Sequence, residues 1–253
     1  MLNKVSTGVG PKSLLIAHGL FGSARNWGVL SKRLSDTRRI DAVDMRNHGA
    51  SPWFDSQSYA DMAQDLAGEI DGQTDVLGHS MGGKAALVLA LTQPEKVARL
   101  IVADIAPVAY SHTQLHLIKA MQAVDLTTMS SRRDVDDILS EQIDEPAVRA
   151  FLLQSLDMKG DVPRWALNLD VLAREMPAII GFPNIEGRFD GPTLFLSGGA
   201  SDYVRPEHRA RILALCPNAE FRQIPGAGHW LHAEKPREFE AEIRAFLDTE
   251  RRG

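Results

Sequence analysis

The stretch Thr74-Asp75-Val76-Leu77-Gly78-His79-Ser80-Met81-Gly82-Gly83-Lys84-Ala85-Ala86-Leu87-Val88-Leu89-Ala90-Leu91 decides how this chain folds. Thr74 to His79 is too short and too continuous for an exposed helix and reads as a strand; Met81 to Leu91, rich in Ala and Leu and ending before Pro94, reads as a helix. Gly78-x-Ser80-x-Gly82 joins the two. A strand-to-helix turn this tight holds its central residue in a strained backbone conformation and needs neighbours without side chains. Ser80 is thereby presented at the carboxyl edge of a sheet as a candidate nucleophile. The free amides and positive dipole end of the helix that starts at Met81 lie where an oxyanion would develop.

Working outward, short β-rich runs alternate with helical patterns, the arrangement of parallel strands joined by helical crossovers. Strands are expected over Ser13 to His18, Arg39 to Asp44, Ala98 to Asp104, Thr193 to Ser197 and Glu220 to Ile224, and helices over Tyr59 to Ile70 and Pro236 to Leu247. The expected class is α/β, with a mostly parallel sheet flanked by helices. Between Ala109 and Gly191 strand signals vanish, and helix-like stretches follow one another at Leu115 to Val124, Arg133 to Ile143 and Pro146 to Leu156. Residues 1–108 and 191–253 therefore read as one core, with 109–190 as a helical cap inserted into it.

A serine hydroxyl is a weak nucleophile at neutral pH and needs a base downstream. His229 is the candidate, carried by the glycine-bearing loop Pro225-Gly226-Ala227-Gly228-His229-Trp230, which follows the last strand pattern. His232 is the nearby competitor, and His112, His116 and His208 read as surface residues.

Several further stretches resemble the α/β-hydrolase superfamily over nearly the whole chain. Leu15-Ile16-Ala17-His18-Gly19-Leu20-Phe21-Gly22 is similar to its His-Gly loop, and Asp44-Met45-Arg46-Asn47-His48-Gly49-Ala50-Ser51 to its Asp-x-Arg-Gly-His-Gly-x-Ser loop. Asp104-Ile105-Ala106-Pro107, Gly198-Gly199-Ala200-Ser201 and Gly226-Ala227-Gly228-His229-Trp230-Leu231-His232 resemble the YbfF-type esterases, which hydrolyse carboxylic esters and acyl thioesters. The resemblance implies an oxyanion hole at the amides of Met81 and Leu20, with Phe21 as the adjacent alternative. For the triad acid it leaves two positions open. Asp202, in the loop after the penultimate strand, holds the superfamily's usual place and is preferred here. Asp104, at the end of the strand after the elbow helix, is the alternative. Two departures stand out: Asn47 replaces a glycine of the Arg-Gly-His-Gly loop, and the dozen residues before Ser13 leave room only for shortened antiparallel strands.

The 253 residues are 44% hydrophobic and 24% charged, with a net charge of −5, which excludes disorder and collagen-like structure. Basic residues are scattered apart from Arg251-Arg252, so nucleic acid is not an expected partner. The single Cys216 rules out an internal disulfide framework, and neither a signal-peptide run nor a membrane-length apolar span is present, so a cytoplasmic location is expected. The histidines and carboxylates form no His-Glu-x-x-His or comparable cluster, so no metal and no cofactor is expected. The expected activity is a serine esterase, an acyl thioesterase included, acting on a small acyl ester or thioester. The alternatives are a cofactor-free haloperoxidase or perhydrolase, and a non-catalytic receptor on the same scaffold. The cap's Leu115, Ile118, Met121, Phe151, Leu152, Trp165 and Met176 are candidates for an acyl pocket. No cation besides Lys119 lies between Asp104 and Ser131, so no clamp for a charged substrate is visible in the early cap.

Overall fold

The computed structural model describes residues 1–160 and 162–249. Seven of its strands form one sheet: β1 (Lys4–Thr7), β2 (Ser13–Ala17), β3 (Arg39–Val43), β4 (Thr74–His79), β5 (Val97–Ala103), β8 (Thr193–Gly198) and β9 (Ala219–Ile224), in the order β1-β3-β2-β4-β5-β8-β9. Every pairing is parallel except β1 with β3. All residues of β4, β5 and β8 are buried, as both-sided covering of a parallel sheet demands. Because side chains alternate along a strand, each face builds its own core. Leu15, Val43 and Val76 join α2 (Tyr59–Gly68) and α3 (Met81–Thr92) on one face. Leu14, Ile16, Ile40 and Leu77 join α1 (Gly28–Leu34) and α11 (Pro236–Leu247) on the other. The central strands and helices α2, α3 and α11 lie within a residue or two of where the sequence pattern puts them, whereas the pattern does not signal α1. The antiparallel edge strand β1 is a four-residue segment that the pattern did not signal.

Between β5 and β8 the chain forms α4 (Leu115–Ala123), α5 (Arg132–Leu139), α6 (Pro146–Leu152), α7 (Leu169–Arg174) and α8 (Met176–Ile180). This segment is not purely helical: β6 (Leu156–Asp157) and β7 (Arg164–Trp165) pair antiparallel, each too short to carry a period-2 signal. It is stitched to the core where Gly49 N–H donates to Ala166 O (2.8 Å) and Asn168 N–H donates to Asn47 O (3.0 Å). After β8 come α9 (Arg209–Leu215), β9, and the one-turn α10 (Leu231–Glu234) ahead of α11. The Arg251-Arg252 pair lies outside the described residues.

Candidate active site

The turn between β4 and α3 has the geometry its residues require. Ser80 sits at φ 53°, ψ −121°, a left-handed conformation that costs an L-residue on the order of 1–3 kcal/mol. A methyl group on Gly78 would run into the carbonyl of Gly82, and one on Gly82 into the carbonyls of Ala17 and His18. Only glycines let strand and helix approach so closely. The strand register then decides what stands beside the serine. His79 pairs with Ala103, so Ser80 and Asp104 are the next residues out on neighbouring strands, and Ser80 N–H donates to Ala103 O at 3.0 Å.

From the far side, the loop after β9 brings in His229. Its Nε2 lies 3.1 Å from Ser80 Oγ and its Nδ1 lies 2.7 Å from Asp104 Oδ2. Asp104 is fully buried and takes φ 49°. Its Oδ1 accepts from Gly198 N–H at 2.9 Å, and its Oδ2 also accepts from the Ser201 hydroxyl at 2.5 Å. A carboxylate holding three donors in a buried site is fixed in one orientation, with its charge satisfied.

Asp202, the carboxylate preferred from sequence, is not brought to His229. Its side chain is exposed and, among the described residues, makes no hydrogen bond; its backbone carbonyl accepts from Arg205 Nε at 3.1 Å. The physical reason is the conformation of the loop after β8. It turns Ser201 and Tyr203 toward the site and Asp202 away from it. The Ser201 hydroxyl meets Asp104, and the Tyr203 ring stacks on His229 with centroids 3.9 Å apart and an interplanar angle of 17°.

His79 braces the same loop from beneath. Its Nε2–H donates to His229 O at 2.8 Å, while burial together with neighbouring histidines holds its pKa well below the usual value and keeps the ring neutral. His232 takes no part in the proton path: it stacks on Trp27 (4.5 Å) and packs edge-on against His79, with desolvation lowering its pKa to about 4. Gly228 N–H donates to Glu234 at 2.7 Å and fixes the start of the turn. His116 is exposed and His208 is half-buried, its Nδ1 accepting from Arg205 N–H; His112 stands at the cavity mouth with Nε2 2.9 Å from Tyr203 Oη.

The candidate oxyanion amides separate cleanly. Among the described residues neither Met81 N–H, at the first position of α3, nor Leu20 N–H has a protein acceptor. Phe21 N–H is already committed, pointing at His48 Nε2 (3.3 Å). That acceptor is available because His48 Nδ1–H donates to Arg46 O (2.8 Å), and burial pushes the His48 pKa down to about 3. The Phe21 amide is thus not free in the way that those of Met81 and Leu20 are.

Ser80, His229 and Leu20 open onto a cavity of about 290 Å³. Phe151 and Leu152 of the expected acyl-pocket set line it, but Leu115, Ile118, Met121, Trp165 and Met176 do not. Ile118, Met121, Trp165 and Met176 pack within the apolar core instead and Leu115 against it, and Trp165 Nε1–H donates to Met121 O at 3.0 Å. Helical spacing alone could not separate a cavity-facing side chain from a packed one. The wall is completed by residues the sequence reading missed, notably Tyr59, Lys84, Tyr110, Leu117, Tyr203 and Trp230.

With this geometry in place, comparison with known proteins is decisive: the pattern of the Alpha/beta hydrolase family matches residues 14–242. The chain belongs to that family. It is 42% identical over 248 residues to the sn-1-specific diacylglycerol lipase ABHD11 of Mus musculus, covering 93% of this chain and 80% of that protein. It is 39% identical over 241 residues to the esterase YbfF of Escherichia coli, covering 93% and 92%. Among solved structures, a marine microorganism esterase superposes with a TM-score of 0.94 at 37% identity, over 97% of this chain and 99% of that one.

Both departures from the α/β-hydrolase pattern have a structural answer. Asn47 adopts φ 63°, the conformation glycine would supply and the one asparagine tolerates best among other residues. Its side chain stitches the loop together, donating to Gln57 Oε1 (2.8 Å) and Ser56 O (3.0 Å) and accepting from Phe54 N–H (2.7 Å). The antiparallel start of the sheet is reduced to β1 alone.

Proposed function

We propose that Ser80, His229 and Asp104 are the catalytic triad with which this α/β-hydrolase cleaves carboxylic esters. The chain is a carboxylic ester hydrolase, and the observation that carries the residue assignment is the unbroken hydrogen-bonded path from Ser80 Oγ through both nitrogens of His229 to a buried carboxylate. Ser80 Oγ attacks the ester carbonyl while His229 Nε2 takes its proton. The amides of Met81 and Leu20 hold the oxyanion, each worth about 3 kcal/mol to the transition state. The tetrahedral intermediate expels the alcohol as His229 returns the proton, leaving an acyl-Ser80 ester. Water, deprotonated by His229, then releases the acid and restores the serine. Asp104 holds the imidazole with Nδ1 protonated and stabilises the imidazolium as it forms.

The segment from α4 to α8 acts in this reading as a cap over the sheet edge, closing an acyl pocket against Phe151, Leu152 and Ile179. Small acyl esters are the substrates, with thioesters as a second leaving-group class. Buried Cys216, whose thiol burial pushes up to about 12, carries no disulfide and suits a cytoplasmic setting. Among the described residues no helix is long and apolar enough to cross a membrane.

Replacing Ser80 by alanine is the direct test. Turnover of p-nitrophenyl butanoate is expected to fall at least ~10⁴-fold with the far-ultraviolet dichroism unchanged. Retained turnover in a folded Ser80→Ala protein would reject the assignment.

A further inference from the structure

Helix α3 carries one charged side chain, Lys84, in an otherwise almost wholly apolar run. It lies one helical turn beyond Ser80, is 1% exposed, and lines the same cavity. Its Nζ donates to Ile180 O at 3.0 Å and to Gly181 O at 2.5 Å, where α8 ends, and stands 4.7 Å from the Tyr110 ring centroid and 5.7 Å from that of Tyr59. The titratable groups facing it are Tyr59 from α2 and Tyr110 and His112 from the segment between β5 and α4. All three are neutral near pH 7, because burial raises both tyrosines and lowers His112, to which the charge of Lys84 adds. The end of α8 offers only backbone carbonyls. Among the described residues no Asp or Glu lines the cavity and Lys84 makes no ion pair.

A buried cation without a counter-ion is costly, and here desolvation lowers its pKa to about 7. Two carbonyls occupy two of the three ammonium donors and leave one for a further acceptor. The backbone of α3 fixes the spacing between nucleophile and cation: four residues advance about 6 Å along a helix axis. An acyl carbonyl held at Ser80 and a group held at Lys84 are thus the two ends of one short chain.

We propose that Lys84 forms an acyl-end subsite that binds a carboxylate at the far end of the substrate's acyl group, so that half-esters of short dicarboxylic acids are the favoured class. This rests on Ser80 being the nucleophile. The missing counter-ion arrives with the substrate: a carboxylate satisfies the third donor and neutralises the charge inside the cavity, giving a charge-assisted hydrogen bond.

The test compares monoethyl esters of glutaric, adipic and pimelic acids with the matching ω-carboxamide ethyl esters, which have the same shape and no charge, following ethanol release. At pH 6 the wild-type kcat/KM is expected to favour the carboxylate by roughly tenfold or more for at least one chain length. Because kcat/KM reports ionisations of the free enzyme, that ratio should fall toward one as pH rises from 6 to 9 and Lys84 loses its charge. In Lys84→Met the ratio should be near one at every pH. A lysine that only clips α8 to α3 would instead give the same ratio in both proteins. The inference is overturned by a wild-type ratio at or below one for all three lengths, by a ratio flat across pH 6 to 9, or by a preference that Lys84→Met retains. If that variant does not fold, the wild-type pH dependence decides alone. Carboxamide esters that are turned over, and blocked by a fluorophosphonate, without any carboxylate preference would sink this inference only. Absence of both turnover and labelling would sink the Ser80 assignment beneath it.

Discussion

Two loops leave the carboxyl edge of the sheet with an aspartate each, and the contrast between them explains how the site is built. After β5, Asp104 stands one residue past the strand, fully buried, its oxygens held by Gly198 N–H, the Ser201 hydroxyl and His229. After β8, Asp202 stands four residues past the strand and points into solvent, while its neighbours Ser201 and Tyr203 turn inward. Both positions carry a residue chemically able to orient an imidazole. What separates them is burial with every oxygen satisfied, a property of strand register and loop conformation and not of residue type. The loop after β8 keeps a part in the site through a hydroxyl and an aromatic ring instead of a charge.

The sharpest way to break this contrast is to neutralise each aspartate in turn. Asp104→Asn should lower kcat by roughly 10³–10⁴-fold, because an amide facing Nδ1 favours the wrong imidazole tautomer. A smaller loss would mean that another carboxylate serves. Next in size is a rescue. Adding Ser201→Asp to Asp104→Asn sets a carboxylate where a hydroxyl now reaches Oδ2, and should recover about tenfold of the lost kcat; no recovery would show that only the strand-end position can orient the ring. Tyr203→Leu removes the stacked ring and should cost roughly two- to tenfold in kcat, with a displaced acid limb in the pH–rate profile as the sign that the effect passes through His229. Smallest of all, Asp202→Asn should change kcat/KM by no more than about twofold, the ordinary effect of altering a solvated surface charge.

Much of the fold is legible in the sequence because its signals are local. Continuous apolar runs mark β4, β5 and β8, Pro236 opens α11, and Gly78 and Gly82 declare a close strand–helix crossing. Ser80 and His229 are legible for the same reason, each sitting in a turn whose glycines announce it. The proposed acid is harder to read because it depends on which strands are neighbours. The order β4-β5-β8-β9 sets Asp104 beside Ser80 and leaves His229 to reach across β8, and no spacing along the chain encodes that adjacency. Lys84 escapes for the opposite reason. It lies inside the most recognisable stretch of the chain, yet its importance comes from Ile180, Gly181 and Tyr110, which meet it only after folding. The two-residue strands β6 and β7, and the division of cap side chains between cavity and core, likewise need the tertiary structure.

The central claim, that His229 held by Asp104 activates Ser80, is tested most directly by the rate at which a fluorophosphonate labels Ser80, read by mass spectrometry in the wild type, Asp104→Asn and Asp202→Asn. The account predicts rapid stoichiometric labelling of wild type and Asp202→Asn, and labelling at least about a hundredfold slower in Asp104→Asn. Fast labelling of Asp104→Asn together with slow labelling of Asp202→Asn would contradict it.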